Sequence, residues 1–423
     1  MELYRVSSCE LDGWIAAHLQ PSEEFLENVQ AAVQRICNYL KKNFSIEARV
    51  IKLVKGGSAG QGKVLQDNSD ADPILFLHWF SSYDDQRERS ECVIDSLKQA
   101  LVRDERTIAY KVHILPPEAK GRPPHSLSLT LQSKNKKESV ELDILPAYDV
   151  LEQVTLTYKP PPKIYEDLVQ ATKVPGEFST SFIKLQRNFV KQSPEKLKDL
   201  LRLVKHWYKE NLKKVYPSSS LPSKFALELL TIYAWEEGTK KAEEFNMAEG
   251  FCTVMKLLVQ YKDLCFYWTE YYSLEDPTVG AHVKEKLRET RPVIMDPADP
   301  TRNLGTENGW DLLAKEASAC QNELCCKKDD VPVQPWIVQP ARAIQVRMKQ
   351  QKGASQDMSC SPYDTIGQIK EKFGLEGHVS IYEKRTALQQ PDVENTVLQN
   401  DKTLADYGVF YNTTILQLHT KQQ

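Results

Sequence analysis

Apolar positions in EFLENVQAAVQRICNYLKKNF, residues 24–44, recur every three to four residues and predict an amphipathic helix. The pattern then changes to the short apolar runs ARVIKLVKG and PILFLHWF, which predict strands. Pro73 keeps Asp72 out of the helical region and cannot donate to a ladder, so it suits a strand start. A helix over 85–103, a strand at AYKVHIL, the loop PPEAKGRPP and strands at SLSLTL and VELDIL complete a mixed α/β lobe. KPPPK at 159–163 reads as a stiff linker. Beyond it, TSFIKLQRNFVKQ, PEKLKDLLRLVKHWYKENLKK, KFALELLTIYAWEEG and MAEGFCTVMKLLVQYKDLCFYW carry helical periodicity and predict a second, helical lobe. RPVIMDPADPTRNLG, 291–305, reads as an ordered loop in which Asp296 and Asp299 are turn and capping residues. From 343 the strand AIQVRM, a helix begun by Asp364 in DTIGQIKEKFG, and the strands HVSIYE and TTILQLHT form a third unit. The expected architecture is α+β: a mixed-sheet lobe over 1–160, a helical lobe over 161–335, a linker over 336–342 and a small domain over 343–420.

Composition narrows the class. The 423 residues exceed one ordinary core, and 41% hydrophobic with 27% charged residues is a soluble globular balance. A net charge of −3 offers no global attraction to nucleic acid, so any such binding needs a local basic face. No stretch reaches the length of a membrane span, and MELYRVSSCELDGW lacks a leader pattern, so no membrane partner is expected. Nine cysteines without an evident disulfide framework fit a reducing compartment; the cytoplasm, and with it the nucleus, is the expected location. Cys320, Cys325 and Cys326 form a cluster. A zinc site there would want a fourth ligand and two spaced pairs, none of them nearby in sequence, so a buried or interface thiol patch is expected instead.

The most informative chemistry lies in KGGSAGQGKVLQDNSDAD, 55–72. Gly56 and Gly57 let backbone pass close to a polyphosphate, Ser58 offers a hydroxyl and an amide, and Asp70 and Asp72 at i and i+2 share one face of a strand. A third carboxylate is the usual bridge between two hard cations. In ESVELDILPAYD, Val140, Leu142 and Ile144 alternate with Glu141 and Asp143, so a strand would bury the first set and turn Asp143 the other way. Each piece alone is an ordinary turn or a solvated acid; together they follow the signature of the DNA polymerase beta-like nucleotidyltransferase superfamily.

From 1 to 335 the chain resembles the 2′-5′-oligoadenylate synthetase-like family, through VKGGSAGQG, SDAD, LDILPAYD, LRLVKHWY, ALELLTIYAWE and RPVIMDPADPTRNLG. The tail resembles ubiquitin through DTIGQIKEKFG and DKTLADYGV. The resemblance implies a bilobal nucleotidyltransferase followed by a ubiquitin-like β-grasp domain. Its activity would be double-stranded-RNA-activated joining of ATP through 2′-5′ linkages, in antiviral defence. Two Mg²⁺ ions would be held by Asp70, Asp72 and Asp143, with Asp143 also activating the acceptor hydroxyl. Gly57 and Ser58 would hold the donor phosphates, Arg202 and Lys205 the triphosphate, and Lys224 and Phe225 the base. Lys41, Lys55, Arg187, Lys191 and Lys196 would form the RNA face, which reads shape through phosphates and 2′-hydroxyls.

Departures from the family pattern are specific. Gln61 stands where active members usually carry lysine, and Lys224–Phe225 replaces a Gln-Tyr pair. Cys325, Cys326 and Lys327 replace a Cys-Phe-Lys oligomerisation motif, and the tail ends in HTKQQ without a Gly-Gly terminus. One tail module is visible where relatives often carry two. Two other functions compete: a non-enzymatic RNA-binding adaptor recruiting an antiviral RNA sensor through the tail, and another nucleotidyltransferase such as a poly(A) polymerase or cyclic dinucleotide synthase.

Overall fold

The computed structural model describes residues 2–43, 50–56, 70–103, 110–115, 126–133, 139–350, 355–372, 374, 377–382, 397–412 and 414–419. Helix α1 spans Leu11–His18 and α2 Glu23–Asn43. Strands β1 (Val50–Gly56) and β2 (Asp70–Leu77) precede α3 (Tyr83–Arg103), and β3 (Tyr110–Ile114), β4 (Leu127–Ser133) and β5 (Ser139–Ala147) complete the first sheet. Its order is β1-β2-β5-β4-β3, with β2 and β5 parallel and the other neighbours antiparallel.

Alternation in the strands decides what each sheet face touches. Leu75, Leu77, Leu129, Leu131, Val140, Leu142 and Ile144 meet Val29, Val33, Ile36 and Leu40 of α2 and Val93, Leu97 and Leu101 of α3 in one core. Those α2 positions recur at helical spacing, which is why one stripe of that helix is buried. Ile74, Phe76 and Ala147 occupy the opposite face, where Val54, Leu145 and Ile183 pack against them. Ile183 belongs to the helical lobe, so this second face looks toward it.

The helical lobe comprises α4 (Pro162–Ala171), α5 (Ile183–Lys191), α6 (Glu195–Trp207), α7 (Lys224–Thr239), α8 (Met247–Val259), α9 (Pro277–Lys286) and α10 (Trp310–Cys320). Helix α7 is central, with every residue from Ala226 to Glu236 buried. Ser223 starts it by accepting a hydrogen bond from the Ala226 amide at 3.3 Å. Asp296 and Asp299 are turn residues as expected: Asp296 Oδ1 accepts from the Ala298 amide at 2.9 Å and Asp299 Oδ1 from the Thr301 amide at 2.9 Å. Both acids are fully buried.

Four sequence expectations are corrected. The 1–160 lobe is not one packing unit, because Leu3, Val6, Leu11, Trp14, Ile15 and Leu19 join the helical-lobe core with Leu200, Trp207 and Phe251. KPPPK is only partly linker, since Pro162 opens α4, where its missing amide hydrogen costs nothing. The expected helix through CFYW stops at Val259, and β6 (Cys265–Phe266) pairs in parallel with β7 (Val293–Ile294). The 336–342 linker is a pinned strap. Trp336 donates its amide to Thr253 Oγ1 at 2.8 Å and its indole to Glu249 at 3.0 Å, while Arg342 pairs with Glu236 and Glu237 at 2.9 Å each. A Cβ at Gly238 would lie 2.5 Å from the Trp336 ring, so glycine is what admits the strap there.

After the short hairpin β8 (Lys327–Lys328) and β9 (Val331–Pro332), the tail sheet has the order β11-β10-β13-β12. Its members are β10 (Ile344–Gln350), β11 (Gln356–Cys360), β12 (His378–Tyr382) and β13 (Thr414–His419), with α11 over Ile366–Lys372. The central β10 and β13 are parallel, and Ile366 and Ile369 share a core with Val346, Met348, Leu404 and Leu416.

The tail is docked on the helical lobe. Phe410 and Tyr411 are buried with Tyr267, Leu287 and Val293; the Arg291 guanidinium lies 3.8 Å from the Phe410 ring centre and Lys284 Nζ 4.6 Å from that of Tyr411. Tyr363 donates to the Asp263 carbonyl at 2.5 Å. Replacing Phe410 and Tyr411 by alanine removes two aromatic anchors, each worth about 3–5 kcal/mol when buried, and is expected to undock the tail. Small-angle scattering should then give a larger radius of gyration, and an unchanged radius would contradict this interface.

Candidate active site at the lobe junction

Strand register builds the site. Along the parallel pair, Asp70 is level with Glu141, Ala71 with Leu142 and Ile74 with Leu145, and this constant offset sets Asp72 level with Asp143. Across the antiparallel pairs, Gly56 is level with Asp72 and Asp143 with Ser128. One row therefore crosses four strands as Gly56, Asp72, Asp143 and Ser128. Positions 70, 72 and 143 lie on the face of Ile74 and Leu145, opposite the face that buries Leu142 and Ile144.

Asp143 is exposed and, among the described residues, has no ion-pair partner. The side chains of Asp70, Asp72 and Lys55 lie outside the described residues, as do Gly57, Ser58 and Gln61 entirely. The backbone alone brings Gly56, the last described residue of β1, beside the acids. An oxygen-only donor set with an unpaired carboxylate suits hard divalent cations such as Mg²⁺.

Two rows along the same face, a cluster ties the sheet to the helical lobe. Lys52 of β1 is level with Phe76 of β2, about 13 Å along the strand from Asp72. Lys184 of α5 lies 4.4 Å from the Phe76 ring centre, pairs with Asp149 at 2.7 Å and donates to the Glu152 carbonyl at 3.0 Å. Lys52 donates to the same carbonyl and lies 3.9 Å from Asp149. Burial, with a smaller push from the neighbouring Lys52, outweighs the opposing pull of Asp149 and leaves the Lys184 ammonium lowered to about 8. Glu152 holds a left-handed φ of 51°, which aims its carbonyl at both lysines. No sequence motif marked this cluster, and Lys184 shares its helix with Arg187 and Lys191, so nothing in the local sequence set it apart.

Arg202 and Lys205 are buried on α6 and already neutralised. Arg202 pairs with Asp199 at 2.5 Å and Glu195 at 3.1 Å; Lys205 pairs with Glu228 of α7 at 2.8 Å, with both side chains under 8% exposed. Their spacing on one helical face gave no sign of this burial. Lys224 and Phe225 open α7, with Phe225 half-buried against the helical core. Among the expected RNA contacts, Lys41 and Lys191 are exposed in the last turns of α2 and α5 and Arg187 is half-buried one turn before Lys191. Lys196 pairs with Asp12 at 2.8 Å. A cavity of about 560 Å³, lined by Tyr83, Tyr148, Ile164 and Asp167, lies between the starts of α3 and α4 and away from the acid row.

A mixed sheet presenting acids to a helical lobe defines a nucleotidyltransferase fold. The family described as 2′-5′-oligoadenylate synthetase 1, domain 2, C-terminus, matches residues 158–341. The chain is 43% identical over 427 residues to 2′-5′-oligoadenylate synthase-like protein 2 of Mus musculus, covering 99% of this chain and 84% of that one. It is 37% identical to synthase-like protein 1 of Mus musculus, covering 99% and 82%, and 42% identical to 2′-5′-oligoadenylate synthase 1A of Rattus norvegicus, covering 80% and 96%. The chain belongs to the 2′-5′-oligoadenylate synthase family. A solved structure of CdnC from E. coli MS115-1 with ATP aligns with 74% of this chain and 89% of that chain at 16% identity and a TM-score of 0.47. No described helix is long and apolar enough to cross a membrane.

Burial of the Lys205–Glu228 pair sets a stability test. Lys205→Ala strands the Glu228 carboxylate and is expected to cost about 3–5 kcal/mol, whereas Lys205→Met with Glu228→Leu should fall within about 2 kcal/mol of the parent. Denaturant titration reads both, and equal losses would contradict the paired burial.

Proposed function

We propose that this chain is a double-stranded-RNA-activated nucleotidyltransferase that joins ATP through 2′-5′ linkages, releases pyrophosphate and serves antiviral innate immunity in the cytoplasm and nucleus. The observation that carries this reading is the Gly56–Asp72–Asp143 row on the sheet face that looks toward the helical lobe. Family membership supports ATP as substrate and divalent metal as cofactor.

In this reading the acceptor 2′-hydroxyl attacks the α-phosphorus of the donor. Asp143 takes the hydroxyl proton as the bond to the bridging oxygen breaks and pyrophosphate departs. Two Mg²⁺ ions, held by Asp70, Asp72 and Asp143, would neutralise phosphate charge when bound. Gly57 and Ser58 hold the donor phosphates, and Lys224 and Phe225 hold the base. Arg202 and Lys205 grip the triphosphate by exchanging carboxylate partners for phosphate oxygens, one anion for another.

The RNA face comprises Lys41, Lys55, Arg187, Lys191 and Lys196. Helix α5 carries two of these and, one turn before Arg187, Lys184, whose ion pair with Asp149 spans the lobes. Phosphate contacts on α5 would thus be relayed to the sheet that carries the acids. Lys184→Met is expected to keep RNA affinity and to lose most RNA-dependent activation; unchanged activation would exclude the relay. RNA affinity itself should fall steeply with salt.

Incubating the pure chain with ATP, Mg²⁺ and double-stranded RNA should yield pyrophosphate and 2′-5′ oligomers. Asp143→Asn should lower turnover by roughly 10²–10⁴-fold. No product at any RNA concentration, or a variant equal to its parent, would refute the enzymatic reading. Docking of the tail by its Phe410 and Tyr411 side favours a second role beside the first. A ubiquitin-like tail held in one orientation would offer its remaining surface to an antiviral RNA sensor. Deleting residues after 342 should then abolish signalling while synthesis survives.

A further inference from the structure

The sequence places three cysteines together at the end of the helical lobe, and folding supplies a fourth. Cys320 ends α10, while Cys325 and Cys326 lie in the short 3₁₀ turn Leu324–Cys326; their sulfurs all fall within 4.8 Å of one another and all three are buried. Cys252, buried on α8 and distant in sequence, lies on the helix that packs on this turn and neighbours Cys326, just outside the group of three. No disulfide joins any of them.

We propose that Cys252, Cys320, Cys325 and Cys326 form a structural tetrathiolate site for Zn²⁺. The donor chemistry is the argument. Four sulfurs with no carboxylate or imidazole among them favour a soft, tetrahedral d¹⁰ ion over magnesium or calcium. A Zn–S bond of about 2.3 Å sets sulfurs roughly 3.8 Å apart in a tetrahedron, so the three-thiol group contracts modestly and the Cys252 side chain swings in from Cys326 to close the fourth corner.

A neighbouring hydroxyl supports a negatively charged cluster. Tyr4 accepts a hydrogen bond from Trp207 Nε1 at 3.1 Å, which leaves its own hydrogen to donate, and the group within its reach is the Cys320 sulfur. A thiolate is a far better acceptor than a thiol, and such outer contacts orient metal ligands. The four thiols release their protons to solvent as the ion enters, giving a site of net charge −2.

Such an ion would join α8, the end of α10 and the turn that precedes the strap, with the N-terminal turn Leu3–Arg5 packed against it. It would staple together segments that no long hydrogen-bonded ladder connects. It also gives Cys325 and Cys326 an inward role: both are buried, so they cannot serve as an exposed assembly motif in this fold.

Elemental analysis of the full chain, expressed in zinc-sufficient medium and dialysed, should find one zinc per chain. Replacement by Co²⁺ should produce the visible bands of a tetrahedral cobalt thiolate. Cys252→Ser should lose zinc on dialysis, whereas Cys9→Ser and Cys360→Ser, outside the cluster, should keep it. Stripping zinc with a chelator should lower Tm, and returning Zn²⁺ but not Mg²⁺ should restore it. If Cys252→Ser does not fold, the zinc content and cobalt spectrum of the parent still decide. A metal-free parent that takes up no Co²⁺, or one in which Cys320 and Cys325 are joined as a disulfide, would overturn the proposal.

Discussion

The parallel register between Asp70–Leu77 and Ser139–Ala147 is the constraint on which the rest depends. Slipping it by one residue would carry Asp143 to the face that packs on the two long helices and would expose Leu142 and Ile144 in its place. Burial of those apolar side chains therefore holds the carboxylate position. Fold stability and candidate chemistry are enforced by the same alternation, since every residue buried on one face of β5 leaves its neighbour on the other.

The junction beside that row is built differently. Lys184 is mostly removed from water, yet it meets an aromatic ring, a carboxylate, a carbonyl and a second lysine. Such a site is responsive because its charge is only partly compensated: burial opposes the ammonium while Asp149 favours it. A modest displacement of α5 changes that balance. The tail is held by another chemistry, cations over aromatic rings, which ties it to the helical lobe without reaching the acid row.

Periodicity made much of this legible. The switch from helical spacing to alternation in VELDIL located the third acid, and the apolar run PILFLHWF located the one strand that carries the first two. Lobe membership was less visible. Trp14 and Leu19 precede the first element that periodicity predicted, and nothing local says that they pack on Trp207 and Leu200 rather than on the nearer sheet. Arg202 and Lys205 have the spacing of a solvated pair, because Glu228, which buries Lys205, lies on another helix. Trp336 looked like linker because its partners, Thr253, Glu249 and Gly238, are distant in sequence. The fourth cysteine was hidden for the same reason. What spacing cannot encode is which helix faces which.

The central claim is that three acids on one sheet face gather around divalent metal at the lobe junction. Anomalous diffraction from crystals grown with Mn²⁺ and a non-hydrolysable ATP analogue tests it most directly. The account predicts manganese peaks within about 2.1–2.2 Å of carboxylate oxygens of Asp70, Asp72 and Asp143, with the triphosphate on the Gly56 side. Manganese bound elsewhere, with Asp143 turned from the other two acids in the presence of nucleotide, would contradict it.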